Sequence, residues 1–230
     1  MDQEYQAQIP PEILMDVMIA GVQRSGTTML AGALTYKRRY VLNEPGSVRP
    51  TLKRIHNIVK PERWGVKQVR ASLVNGWIAV SSPKKIVLMI RDIRHVAASV
   101  WEGHHRKRAL GMHINLPTGQ QISRMKQITR LILKMEQWDN TRVVRYEDFV
   151  TKEKVRTRLE EWLDWPLLGD PAKYQRQTGA VRSFEVERHG GKITDASVKL
   201  RRKPTSPQIM RYAERAVAAC KPYQDRFYGT

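Results

Sequence analysis

The residues most able to do chemistry sit in one short stretch, Gly21-Val-Gln-Arg-Ser-Gly-Thr-Thr28. Its glycines fall at positions 21 and 26, the spacing of a nucleotide phosphate loop. An apolar run precedes the stretch and a helical pattern follows it. In such a turn, backbone N–H groups and the helix N-terminus face an anion, and small side chains let a phosphate come close to the backbone. A loop that grips the β,γ-phosphates of a nucleoside triphosphate carries Lys followed by Ser or Thr after the second glycine. Here Thr27 stands in the lysine position, and the cation comes earlier, at Arg24. Arg24, Ser25, Gly26, Thr27 and Thr28 therefore offer anion binding without the usual reach to a triphosphate. A plain Gly-Ser-Thr turn capping a helix is the competing account of the same residues. Asp92 is the best-placed acid for magnesium, and helix capping explains it better. No paired Cys/His spacing of a zinc site is present, so no metal is expected.

These residues need elements to hold them. The apolar run at 16–22 has the pattern of a buried parallel strand. A helix is predicted over 29–36, a strand at 40–43 and a turn at 44–46. Another strand falls at 64–68, and a helix interrupted at Gly76 spans 71–81. Residues 85–91 form the clearest strand, with Asp92 capping a helix that runs through 101. The basic, histidine-rich stretch 103–117 has the composition of a surface loop. Residues 122–138 show helical spacing, with Ile122, Met125, Ile128, Leu131, Ile132 and Met135 on one face. A last strand is predicted at 141–146, then an amphipathic helix over 152–165 stopped by Pro166. After a basic loop at 181–204, a closing helix spans 206–220, with Ser206 as cap and Pro207 first. Strands alternating with helices predict an α/β fold: three layers, a parallel sheet flanked by helices, of the P-loop nucleotide-binding type. No repeat and no long linker divides the chain, so a single domain over 1–230 is expected.

The totals narrow the partners. Among 230 residues, 41 Lys and Arg face 22 Asp and Glu, a net charge of +19. Such a balance points to anionic partners: nucleotides, acidic glycans, nucleic acid or a membrane surface. An apolar share of 41% with 14 glycines and 12 prolines is the composition of a globular chain, not a disordered one. Cys220 is the only cysteine, so no intrachain disulfide forms and a reducing compartment is the simpler inference. Residues 1–15 match neither a signal peptide nor an anchor, and no apolar run approaches the roughly 20 residues of a membrane span. A soluble, cytoplasmic protein is expected.

Two segments carry a family resemblance. Arg24-Ser-Gly-Thr-Thr28 resembles the 5′-phosphosulfate loop of sulfotransferases that use PAPS (3′-phosphoadenosine 5′-phosphosulfate), with Gln23 where proline is usual. Val87-Leu-Met-Ile-Arg-Asp-Ile-Arg-His-Val-Ala-Ala-Ser99 is similar to that family's 3′-phosphate motif, with Arg91 and Ser99 on the binding positions. A dianionic phosphate suits a planar guanidinium plus a hydroxyl. The ordinary account is a strand-end arginine and a small helical residue. Val143-Val-Arg-Tyr-Glu-Asp-Phe149 looks like the family's Arg-Tyr-Glu-Asp segment after a core strand, and its part is largely structural. Lys199-Leu-Arg-Arg-Lys203 looks like the basic loop that covers the nucleotide, which would set Arg201 and Arg202 on the 3′-phosphate. It lacks the glycine of the Arg-Lys-Gly form, and a solvated basic run is the alternative. The resemblance runs in order from Val17 to Tyr228 and is closer to the carbohydrate and tyrosyl branches than to the cytosolic small-molecule branch.

The resemblance implies in-line, metal-independent transfer of a sulfuryl group from PAPS to an acceptor hydroxyl or amine, leaving 3′,5′-ADP. Arg24 would face the charge that develops on the leaving oxygen. Glu44, in Glu44-Pro45, would be the base, against a plain turn carboxylate or one of the histidines at 56, 104, 105 and 113. Lys67 resembles a lysine near the transferred group, although the residues after it differ, and a surface lysine is its alternative. The acceptor would be anionic or hydroxyl-bearing, with a carbohydrate as one candidate, and specific nucleic-acid binding is not expected. Two rival readings share these features: a P-loop small-molecule kinase, and a basic polyanion- or nucleic-acid-binding protein with a degenerate nucleotide fold.

Overall fold

A computed structural model describes residues 14–46, 50–51, 62–109, 119–169 and 206–229. Within them lie five strands: β1 (Val17–Gly21), β2 (Arg39–Asn43), β3 (Arg63–Gln68), β4 (Lys85–Ile90) and β5 (Thr141–Arg145). They form one sheet in the order β2-β3-β1-β4-β5, and every pairing is parallel. The helices are α1 (Thr27–Leu34), α2 (Ala71–Ser81), α3 (Ile93–Ala109), α4 (Gly119–Met135), α5 (Tyr146–Thr151), α6 (Glu153–Leu163), α7 (Pro207–Ala219) and α8 (Lys221–Tyr228).

The central strands are apolar throughout because both of their faces are covered. Val17 and Ile19 of β1 join Val87, Met89 and Val144 in a core packed by α1, α5 and α6. Met18 and Ala20 point the other way and meet Val66, Ile86, Leu88 and Ile90 beneath α2, α4 and α7. Each fully buried aliphatic side chain here adds about 1.5–3 kcal/mol. The expected three-layer α/β architecture is what forms.

The chain leaves β1 toward β2 on one side, and leaves β4 toward β5 on the other. This reversal opens a crevice at the C-terminal ends of β1 and β4, the usual place for ligands in such sheets. The two segments singled out as chemical, 21–28 and 91–99, follow directly from those strand ends.

Several local expectations change. Helix α2 runs unbroken through Gly76, because Val74 and Trp77 bury its inner face and outweigh a glycine cost of about 1 kcal/mol. Residues 103–109, expected as loop, continue α3 to Ala109. Arg106, Lys107 and Arg108 are good helix formers, and cations suit a helix C-terminus. Positions 110–117 and the expected loop at 181–204 lie outside the described residues. The last strand stops at Arg145, and Tyr146 opens α5 at once. Helix α6 ends on Asp164 in a left-handed turn (φ 50°), just before Pro166. Ser206 caps α7 as expected, its Oγ accepting from the Ile209 N–H at 3.3 Å, with Pro207 next.

Candidate active site

The loop after β1 turns tightly. The Ser25 N–H donates to the Val22 carbonyl (3.1 Å), and Gly26 caps α1 with φ 85° and no side-chain cap. Only glycine fits at position 26. The backbone is left-handed there, and an added Cβ would stand 2.4 Å from the Tyr146 ring. The first N–H groups of α1 are left without intrahelical acceptors, as at any helix start. Arg24 is also left-handed, with φ 71°. For a residue with a side chain this costs about 1–3 kcal/mol and is concentrated at functional sites.

That conformation accompanies two contacts. The Arg24 Nε donates to the Ser99 Oγ at 3.0 Å, across 75 residues of sequence. The Arg24 carbonyl accepts from the Arg91 Nη1 at 2.9 Å. The two segments read as separate anchors therefore form one clamp, with both guanidinium groups at its centre.

Arg91 is itself held from the far end of the chain. The buried Tyr223 hydroxyl accepts from the Arg91 N–H (3.0 Å) and donates to its carbonyl (3.2 Å). Burial raises the Tyr223 pKa, so the hydroxyl keeps its proton. The Gln224 Oε1 accepts from the Ile93 N–H at 3.1 Å. Beneath, the Arg91 guanidinium lies 4.3 Å from the centre of the Tyr146 ring, a cation–π contact. Asp92 is engaged as a cap: its Oδ1 accepts from the Arg94 N–H at 2.8 Å, and its Oδ2 lies 3.6 Å from the Arg94 guanidinium.

Two polar atoms of the clamp, the Ser25 Oγ and the Arg91 Nε, are buried without a hydrogen-bond partner. Such atoms cost about 1–3 kcal/mol each unless something completes them. A hydroxyl and a guanidinium N–H both suit an anionic oxygen. The donor set thus fits a phosphorylated ligand.

A second pair flanks the loop. Asn43 and Lys67 are register partners at the ends of β2 and β3, and the Glu44 N–H donates to the Lys67 carbonyl at 2.9 Å. Glu44 then turns left-handed (φ 48°), and its Oε1 forms an ion pair with the Lys67 Nζ. The Lys67 side chain is 3% exposed and that of Glu44 is 40% exposed. Burial lowers the Lys67 pKa, and the nearby Arg24 charge adds to that, while Glu44 opposes it without winning. Along the rim of the sheet the order is Glu44, Lys67, Arg24, Arg91, with Ser99 on α3 closing the far side.

The fold brings together Arg24, Ser25, Gly26, Thr27, Thr28, Glu44, Lys67, Arg91 and Ser99 at one end of the sheet. Arg201 and Arg202, and the histidines at 56 and 113, lie outside the described residues. Sequence reasoning passed over Tyr223 and Gln224, and left Tyr146 as structural. The only signal for Tyr146 was its place in Arg-Tyr-Glu-Asp. For Tyr223 and Gln224 it was a polar pair just inside a helix that opens with Lys221-Pro222.

No family model matches this chain, and no curated protein sequence matches it. Solved structures do. The sulfotransferase domain from the curacin biosynthetic pathway superposes with a TM-score of 0.56 at 13% identity, covering 91% of this chain and 98% of that one. The sulfotransferase domain from the Synechococcus PCC 7002 olefin synthase gives 0.55 at 16% identity, covering 90% and 96%. This chain has the fold of a sulfotransferase domain. Mouse sulfotransferase SULT7A1 complexed with PAP shares that fold at 15% identity, with a TM-score of 0.50 over 71% of this chain and 63% of its own length. Among the described residues no helix is long and apolar enough to cross a membrane.

Proposed function

We propose that this protein, acting as one domain over its 230 residues, is a sulfotransferase that moves a sulfuryl group from PAPS to an acceptor hydroxyl or amine. The observation that carries the reading is the clamp: Arg24 bonded to Ser99, and Arg91 bonded back to the Arg24 carbonyl. A nucleotide phosphorylated at both ends needs two anion sites joined at a fixed separation. The shared fold supports this reading, because one of its solved examples carries PAP.

Ser25, Gly26, Thr27 and Thr28 would hold the 5′-phosphosulfate end through backbone N–H groups and hydroxyls. Arg91 and Ser99 would hold the 3′-phosphate, with Arg201 and Arg202 as further cations for it. The donor supplies a sulfuryl group that passes to the acceptor atom as the bond to the 5′-phosphate breaks, with 3′,5′-ADP leaving. Arg24 sits between the two anion sites and counters charge on the leaving oxygen, where a fixed cation favours the transition state over the ground state. Glu44 takes the proton of a hydroxyl acceptor. Lys67 holds one of its carboxylate oxygens, and the other meets no donor among the described residues. Lys67 itself adds a desolvated charge beside Arg24.

Thermal shift with 3′,5′-ADP, 5′-ADP and ATP tests the reading. Selective stabilisation by 3′,5′-ADP is expected, since a ligand that binds only the folded state raises its melting point by mass action. Arg91→Ala should abolish that selectivity. Equal responses to the three nucleotides would overturn the assignment.

A further inference from the structure

Helix α4 carries four basic residues, Arg124, Lys126, Arg130 and Lys134, and no acid. All four are exposed. Arg211 and Arg215 are exposed on α7, which packs beside α4, and Glu214 is the one acid among them. None of these six cations has an ion-pair or hydrogen-bond partner among the described residues. The contrast with the adjoining α8 is direct. There Lys221 pairs with Asp225 at 2.7 Å, and Arg226 with Glu136 at 3.2 Å. A mixed surface with satisfied charges gives way to a face of six cations and one acid.

The face has a direction. Lys126, Arg130 and Lys134 recur every four residues, so they stack about 6 Å apart along the helix. Helix α4 covers β1 and leads into β5, so it runs against the strands. Its first turn lies at the end of the sheet that bears Arg24 and Arg91, and Lys134 lies toward the other end. The row of charge therefore descends from the level of the cleft.

The other exposed residues of α4 are glycine, glutamine and serine. A single-stranded nucleic acid would want aromatic side chains for its bases, and α4 and α7 expose none. A membrane-bound helix would want an exposed apolar stripe, and Met210 is the only large apolar side chain that these two helices expose. A stable protein interface would want an aromatic centre. What remains is a ligand held by charge alone along a line.

We propose that the outer face of α4 and α7 is an exosite for a linear anionic polysaccharide, which it holds while one sugar hydroxyl of the same chain enters the cleft. This rests on the sulfuryl-transfer reading and names its acceptor class.

The test compares the wild-type protein with R124Q/K126Q/R130Q/K134Q and its charge-reversed form R124E/K126E/R130E/K134E. K152Q/K221Q, which removes two paired cations, is the control. Binding of fluorescent hyaluronan and heparin oligosaccharides is measured against salt, and 3′,5′-ADP thermal shift is read on the same samples. Expected are a loss of polysaccharide affinity above tenfold in the glutamine form and a larger one on reversal. The salt slope should shrink by roughly one per cation removed. The control and the nucleotide shift should stay at wild-type values. Wild-type polysaccharide affinity in the variants would overturn the exosite, as would tighter binding of duplex DNA or phosphatidylserine vesicles through the same four residues. Failure of 3′,5′-ADP to bind the wild type would instead sink the cleft reading, and is seen separately.

Discussion

The two ends of the sheet are both rich in cations, and they use them in opposite ways. At the N-terminal ends of the strands, Arg63 pairs with the Asp164 carboxylate and carbonyl, and Lys84 reaches Asp16 at 2.9 Å. There too Lys85 bonds the Trp162 carbonyl, and Arg142 bonds that of Arg158 at 2.8 Å. Each is consumed by a helix terminus or an acid, as cations near helix C-termini commonly are. At the C-terminal ends, Arg91 bonds a backbone carbonyl and Arg24 a hydroxyl, and neither of these two contacts is to a carboxylate. Beside this second set lie the desolvated Lys67, the left-handed Arg24 and two buried atoms without a partner, the Ser25 Oγ and the Arg91 Nε. Counting arginines would not separate the two ends; asking what each one touches does.

The sharpest way to break the comparison is to remove one cation from each end. Arg24→Ala should lower turnover with PAPS by on the order of 100-fold or more, with a folded circular-dichroism spectrum. A loss below tenfold would place Arg24 outside the transition state. Tyr223→Phe comes next. It leaves the buried Arg91 N–H without its acceptor, a change of about 1–3 kcal/mol. Affinity for 3′,5′-ADP measured by calorimetry should fall several-fold while the affinity for 5′-ADP stays constant, a split that a general loss of stability would not produce.

Lys67 sharpens the comparison through pH. Its proton leaves the folded chain below the ordinary lysine value of 10.5. Nucleotide affinity should therefore weaken on the alkaline side before common lysines titrate, and Lys67→Arg should carry binding to higher pH. The sign for stability is opposite. The unfolded chain binds more protons between the depressed folded value and 10.5, so stability rises with pH across that window. The smallest effect belongs to the other end: Arg63→Ala should leave nucleotide affinity unchanged and the melting temperature nearly so, because exposed pairs contribute little.

Much of this was legible before the structure. The apolar runs of β1 and β4 announced buried strands, and Ser206-Pro207 announced the start of α7, because strand burial and helix capping are local in sequence. The turn at 21–28 was legible for the same reason. The Arg24–Ser99 bond was not, since it depends on which strands become neighbours. The extension of α3 was hidden by its histidines and charges, which mimic loop composition while favouring helix. Tyr223 had no signal beyond its place in a polar pair near a helix start, because its role exists only once α8 packs against a strand end 132 residues earlier.

That clasp has a temporal consequence. On a ribosome, β1 to β5 are all made before residue 146, whereas Tyr223 and Gln224 emerge much later. A nascent chain can therefore assemble its sheet while the arginine at 91 still lacks its tether. Whatever Arg91 holds would then wait for the helix that bears Tyr223, and a product stopped before that helix would carry the sheet without the clasp.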